Sequence, residues 1–310
     1  TAYLLPRGGD DDPSTLVANS RLSHIGTIAL GMGFTFDDNS SDGSTSSIED
    51  MRKIIAAAPS SASLIQPYIG GQEFNNHPKQ QPHRHIINFG SMALPEAEKH
   101  AGLIEVVRRN VKPYRDKLKR KTYRENWWKF GEPQAALYDA ISGLRRVLGV
   151  CRVSQSSAFS FLEKGMIYAD TIVIFCFEDC DALAIRQSRI HDTWIRLLAS
   201  SMKDDLRYTP TDCFETFPFP ENWQNVPDME KIGREYYDYR AELMVRNDEG
   251  LTKTYNRFHD PGETSPDIHQ MRLLHAAMDR AVLDAYGWPD VPTDCELIPD
   301  STEEDDDGNE

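Results

Sequence analysis

RVLGVCRVSQSSAFSFLEKGMIYADTIVIFCF, residues 146–177, decides the fold class. β-Branched and aromatic residues crowd the runs RVLGVCRVS, FSFL and DTIVIFCF, and polar or glycine-containing breaks separate them, so the stretch predicts successive strands. The middle of the last run is apolar without alternation, as a strand central in a sheet would be. QSRIHDTWIRLLASS then resumes a helical period. Two long helices are expected further on. Their apolar positions are Met229, Ile232, Tyr236, Tyr239 and Leu243 in the first, and Ile268, Met271, Leu274, Met278, Val282 and Ala285 in the second, spaced by three and four. Upstream, HIGTIALGMGFTF predicts a strand or glycine-bent hairpin. SIEDMRKIIAAAP predicts a serine-capped helix stopped by Pro59. LIQPYIGG reads as a turn-rich connection leading to a strand in HRHIINFG, and GEPQAALYDAISG as a short helix. The expected class is α+β: a mixed central sheet with flanking helices, plus a helical C-terminal part.

The 310 residues are 39% hydrophobic, enough for a substantial core. No apolar run is long enough to span a bilayer and no signal-peptide order opens the chain, so a cytoplasmic setting is expected. Five scattered cysteines suit reduced thiols better than a disulfide framework.

Net charge is −15, yet ten basic and two acidic residues fall between Arg108 and Lys129, a local +8 that leaves −23 for the rest. A helix is expected from Leu94 to about Arg124, kinked at Pro113. Its apolar face would comprise Leu94, Ala97, Ala101, Ile104, Val107, Val111, Tyr114 and Leu118, with Arg108, Lys112, Arg115 and Lys119 as a cationic stripe beside it. Tyr114, Tyr123, Trp127 and Trp128 interleave the charge, one tryptophan expected in the core and the other partly exposed. A basic, aromatic-laced segment that opposes the charge of its own chain points to a polyanion surface. The residues expected at it are Arg108, Arg109, Lys112, Arg115, Lys119, Arg120, Lys121, Arg124, Trp128 and Lys129. The loop around Ser154, Gln155, Ser156 and Ser157 is the expected base-reading element.

Other chemistry fares worse. Asp38 to Glu49 has the spacing of a calcium loop, but a strand-like segment precedes it and Thr45 stands at position eight, so a polar loop is expected. Cys176, Cys180 and His191 lack zinc-site spacing, and His77, His83 and His85 sit in a polar loop. There is no GxSxG, P-loop, HExxH or GxGxxG after a strand, and no catalytic or metal-binding residue is expected.

The segments IQPYIGGQEFN, HIINFG, VVRRNVKPYR, YRENWWKFGEPQAALYDAI, LRYTPTDCFETFPFP and LTKTYNRFHDPGETSPD...MRLLHAAMDRAVLDAYGW resemble, in this order, the region following the catalytic domain in MmeI-like adenine-specific DNA methyltransferases. Such enzymes belong to fused restriction and modification systems and to phage-defence systems of the DISARM type. The resemblance covers about Leu22 to Pro289, with WWxFGEP and CFETFPFP its most specific motifs. It implies a target-recognition domain that holds double-stranded DNA, followed by a helical spacer. The family's FxGxG-type loop for S-adenosyl-L-methionine and its NPPY-type tetrapeptide do not occur here. The cofactor is therefore implied for the parent enzyme and not for this chain, and an upstream methyltransferase domain is an implied partner. The opening Thr1 fits excision from a longer protein. The expected divisions are 1–21 linker, 22–220 target-recognition domain, 221–290 helical spacer and 291–310 acidic disordered tail. Within them TDCFETFPFP, 211–220, is expected to be an extended hydrophobic strap between the two lobes. Two rival classes are a protein-interaction subunit with an acidic surface and a basic docking helix, and a free-standing enzyme whose acid and base lie far apart in sequence.

Overall fold

The computed structural model describes residues 13–40, 43–202 and 205–293. Cys295, the acidic C-terminal stretch from 294 and residues 1–12 of the expected linker lie outside them. Three sheets form among the described residues. The first is antiparallel, in the order β1 (Ser23–Ile25), β9 (Ile172–Phe175), β5 (Arg146–Cys151), β7 (Phe159–Glu163). All four residues of β9 are buried, as its unbroken apolar run requires. The second sheet is mixed, in the order β2 (Thr35–Phe36), β4 (Arg84–Ile87), β3 (Ile65–Ile69), β8 (Ile167–Tyr168), with β3 and β8 parallel. A small third sheet joins β10 (Ser200–Met202), β11 (Asp205–Arg207) and β6 (Val153–Ser154). The α+β class holds, with the mixed pairing in the second sheet and the chain's central strands in the antiparallel first.

LIQPYIGG is not a turn-rich connection, because Ile65–Ile69 is strand β3. Its Pro67 pairs with His85, while β8 reaches only Tyr68 and Ile69. The proline therefore occupies a part of the strand with a neighbour on one side, where its missing N–H is tolerated.

The helix Ile48–Ala57 starts where expected, its Ser47 hydroxyl accepting from Asp50 N at 3.0 Å and Glu49 and Asp50 occupying its first turn. The single kinked helix expected over 94–124 is four pieces, Leu94–Ala97, Ala101–Asn110, Lys112–Arg115 and Lys121–Glu125. His100 leaves helical geometry and Pro113 cannot donate to the preceding turn, so each piece turns differently against the core. Leu103, Ile104, Val106, Val107 and Val111 are buried, whereas Tyr114, expected on the apolar face, is 48% exposed.

One core surrounds the first sheet and includes residues of the helices Cys180–Gln187, Arg189–Leu198, Met229–Asn247, Leu251–His259 and Pro266–Ala285. The other surrounds the mixed sheet with the helix Ala101–Asn110 and both Trp127 and Trp128. Strands and C-terminal helices thus share one core. At Gly233 the helix Met229–Asn247 passes so close to Cys180–Gln187 that a Cβ would lie 2.2 Å from the Cys180 carbonyl oxygen.

TDCFETFPFP starts as a helical turn, closed by Glu215 N donating to the Pro210 carbonyl at 2.9 Å, and is extended only after it. Within the expected N-terminal linker, Asn19 is buried and its amide donates to the Phe214 and Phe217 carbonyls at 2.9 and 2.8 Å. Tyr286 donates to the Pro218 carbonyl at 2.7 Å, tying the end of the last helix to the same segment. Beneath it lies Arg186, fully buried, its guanidinium 3.9 Å from the Phe177 ring centroid, 4.8 Å from Phe219, 5.1 Å from Phe214 and 5.5 Å from Phe175. Its Nη1 donates to Ala182 O, but Nε and Nη2 have no hydrogen-bond partner, so aromatic faces stand in for an anion.

His191, also fully buried, packs on Phe217 with ring centroids 4.6 Å apart. Its Nδ1 lies 2.9 Å from Arg186 O, and its Nε2 lies 3.3 Å from Cys213 O and 3.4 Å from the Tyr208 hydroxyl, so both ring nitrogens are committed inside the core. Burial, reinforced by the Arg186 charge, lowers its pKa to about 4 from 6.5. Above pH 6.5 the ring is neutral folded or unfolded. As pH falls from 6.5 towards 4 only the unfolded chain takes up the proton, so stability drops, by about 3 kcal/mol at the limit. In urea melts across this window His191→Phe is expected to flatten that part of the pH dependence. An unchanged profile would show that the loss comes from other groups.

Candidate nucleic-acid interface

The basic segment is built less simply than its periodicity predicts. Arg108 pairs with Glu105 at 2.9 Å and Glu98 at 3.1 Å, and Lys112 with Asp116 at 2.7 Å. Arg109 donates to Asn110 and Ser46. Lys121 lies 3.4 Å from Glu125, both well exposed, so the pair is worth little. Arg120 donates to the Tyr123 hydroxyl, and Arg124 to the Leu118 and Lys119 carbonyls, closing the turn between two helical pieces. Lys129 donates to Ser91 O.

Two expected contributors are not on the surface. Arg115 is fully buried and donates to the carbonyls of Leu30, Ala29 and Lys129 at 2.8, 2.8 and 2.9 Å, so it stitches the segment to the mixed-sheet lobe. Its place in the cationic stripe is corrected accordingly. The break before Lys112 rotates it inward, where backbone carbonyls take the place of water. Trp128 is 7% exposed, its Nε1 donating to Met92 O at 3.0 Å, and Trp127 is 6% exposed, so neither tryptophan is the partly open one. The basic residues the segment exposes are Arg109, Lys117, Lys119, Arg120 and Lys121, the last four on the turn after the Lys112–Arg115 helix and the start of the helix Lys121–Glu125.

Around Ser154, Gln155, Ser156 and Ser157 the chain leaves β6 and turns into β7. Ser154 pairs with Leu206, Gln155 is exposed, and Gln187 Nε2 donates to the Ser157 carbonyl at 3.2 Å. The loop is held at both ends. None of these four residues lines the cleft of about 590 Å3 that sequence spacing does not reveal; its walls are Gly71, Gln72, Asn75, Asn76, Cys151, Arg152, Val153, Asp170, Thr171, Arg207 and Thr252. Five separate parts of the chain meet there. The short helix Gly71–Asn76 forms one wall, held by Glu73, whose carboxylate receives Arg84 Nη2 at 2.6 Å and Gly70 N at 3.1 Å. Gly250 presses the C-terminal helices onto the same wall, since a Cβ there would sit 2.4 Å from Asn75 O.

Of the histidines expected in a polar loop, His85 instead lies in β4, paired with Phe36 and Pro67. His77 Nδ1 accepts from Lys79 N at 3.1 Å, and His83 lies 3.4 Å from both Asp37 and Glu73. Cys176 follows β9 and Cys180 opens a helix, while His191 is committed as described above. In the calcium-like stretch, Asp38 accepts from Ile48 N at 2.8 Å, and residues 41–42 lie outside the described ones. Among the described residues no group of three or more His, Cys, Asp and Glu is arranged to hold a metal ion, and no helix is long and apolar enough to cross a membrane.

The scaffold thus combines two cores with an exposed lysine-rich turn and an open cleft. The chain belongs to the family described as MmeI, target recognition domain, whose model matches residues 15–221. That span takes in Leu16 to Asn19 and ends just after the strap. The chain is 30% identical over 152 residues to DNA methyltransferase A of Bacillus subtilis (strain 168), covering 47% of this chain and 16% of that protein. Its fold is similar to that of the Type IIL restriction-modification enzyme MmeI, solved in complex with DNA, with a TM-score of 0.64 and 18% identity, covering 91% of this chain and 35% of the other. The chain therefore spans well under half the length of either relative.

Proposed function

We propose that this chain is the part of a site-specific N6-adenine DNA methyltransferase that grips double-stranded DNA and reads its target, within a cytoplasmic restriction-modification or phage-defence system. Membership of the target recognition domain family carries the reading. Base flipping and methyl transfer from S-adenosyl-L-methionine would fall to a catalytic domain with the FxGxG-type and NPPY-type motifs, on the same chain or a partner. Residues 22–220 would be the recognition domain and 221–290 a helical spacer packed into the same core. The exposed turn with Lys117, Lys119, Arg120 and Lys121 would meet phosphates, with Arg108, Arg109, Lys112, Arg124 and Lys129 beside it. The Ser154 to Ser157 loop would face bases. Phosphate contacts position a duplex without reading it.

Binding of the 310-residue chain to a duplex, measured across a salt series, tests this. Affinity is expected to fall steeply with salt. Changing Lys117, Lys119 and Lys121 together to Gln should flatten the slope by about 2 to 3 units, near 0.9 for each phosphate released. Adding Arg115→Gln should instead unfold the segment, since three backbone carbonyls lose their donor. Absence of any salt-dependent duplex binding would remove the proposal and favour the protein-interaction class.

A further inference from the structure

We infer that the cleft at Arg152 is a base-reading site, in which the Arg152 guanidinium takes the major-groove edge of a guanine and Arg207 holds a phosphate at the mouth; this rests on the DNA-recognition reading above. Almost every described arginine is committed to an intramolecular partner. Among the described arginines, only Arg21, Arg152 and Arg207 make no side-chain hydrogen bond or ion pair, and two of these three line the cleft. Arg152 Nε is buried and has no partner at all. Arg186 and Arg240 also bury nitrogens without a partner, but each donates through another nitrogen and packs on aromatic rings. Arg152 instead makes no side-chain bond and lines an open cleft, where its guanidinium is available to a group the chain does not supply.

Its position is fixed from both sides. Arg152 N donates to Thr171 O at 2.8 Å, and its carbonyl accepts from Tyr208 N at 2.8 Å, so its Cα cannot move without breaking the connection between two sheets. Gly71 N donates to the Thr171 hydroxyl at 2.9 Å, locking the opposite wall onto the same loop. A rigid wall is what discrimination between bases needs.

The chemistry of the lining selects a base edge over a phosphate. A phosphate offers acceptors alone, and a seat for one would exclude a carboxylate. Here Asp170 and the amides of Gln72 and Asn75 stand beside the two guanidiniums, mixing acceptors with donors. Base pairs present the same mixture in the major groove: an arginine fork matches guanine O6 and N7, an amide matches adenine, and a carboxylate accepts from the cytosine amine. Arg207 is exposed at the rim, where the sugar-phosphate backbone would pass.

Selection of duplexes from a randomised pool by the whole chain, followed by salt titrations on the selected and a scrambled duplex, tests the assignment. The wild-type chain is expected to select a site containing a required guanine. Arg152→Gln should lose that preference at one position by about 5- to 150-fold while keeping its affinity for scrambled duplex and its salt slope. Since Arg152 makes no intramolecular bond to lose, the variant should fold. Arg152→Lys keeps the charge without the planar fork and should lose the same position. Arg207→Gln should weaken all duplexes alike and lower the slope by about 0.9. If Arg152→Gln selects the wild-type site, or weakens every duplex equally with a shallower slope, the base-reading role is overturned while DNA recognition stands. A wild-type chain that selects and binds no duplex overturns both.

Discussion

Phe214→Ala is expected to lower the unfolding free energy by about 3 to 5 kcal/mol, and Phe217→Ala by a similar amount, measured by urea or thermal melts. Both rings are buried to within 1% exposure. Phe214 meets Phe175 edge-on at 5.1 Å, and Phe217 lies 5.3 Å from Phe219 and 6.1 Å from Trp194, so truncation leaves voids bounded by rigid rings. The surroundings cannot close in, because Asn19 holds the carbonyls of both residues. Phe214 carries a second cost. It is one of four rings around Arg186, whose pKa burial already pushes down to about 9, and without that face the unpartnered guanidinium hydrogens would border a cavity. Phe219, only partly buried, should be more tolerant. Melts in which both alanine variants unfold within about 1 kcal/mol of wild type would show the segment to be a covering and not a strap.

The second large effect is expected at Glu73, 2% exposed at the side chain against 13% for Arg84. Glu73→Ala leaves the Arg84 guanidinium buried without its carboxylate, and leaves Gly70 N without its acceptor, costing about 3 to 5 kcal/mol. Removing both partners should cost clearly less than the sum of the single changes, because the double variant strands no charge. The loss should extend beyond stability. Gln72, Asn75 and Asn76 ride on the helix that this pair anchors, so partial Glu73→Gln variants that still fold should bind cognate duplex more weakly than scrambled duplex predicts. A double-mutant cycle with no coupling would show that the pair is held by its neighbours and holds nothing itself.

How much of this was legible beforehand depends on whether an element's cause is local. Ser47 caps its helix with an atom three residues away, and the run IVIF carries its own preference for a strand buried on both faces, so both stand where they were expected. The helix Leu251–His259 is absent from the sequence expectations although Leu251, Thr254, Tyr255 and Phe258 carry its period. With nine residues and the break at Pro261 its signal is short, and Arg272 of the next helix donates to its Arg257 and Phe258 carbonyls.

Residue types and spacing by themselves determined the α+β class, the family to which the chain belongs and the concentration of positive charge between Arg108 and Lys129. Those properties are sums over neighbours in the chain. Tertiary structure alone decided which of the charges face water. Arg115 turned inward because Ala29 and Leu30, some 85 residues away, present carbonyls that only folding brings within 2.8 Å. It also decided that Gln72, Arg152, Arg207 and Thr252 share one cleft. An unsatisfied guanidinium is defined by every partner it does not meet, and no local pattern carries that information.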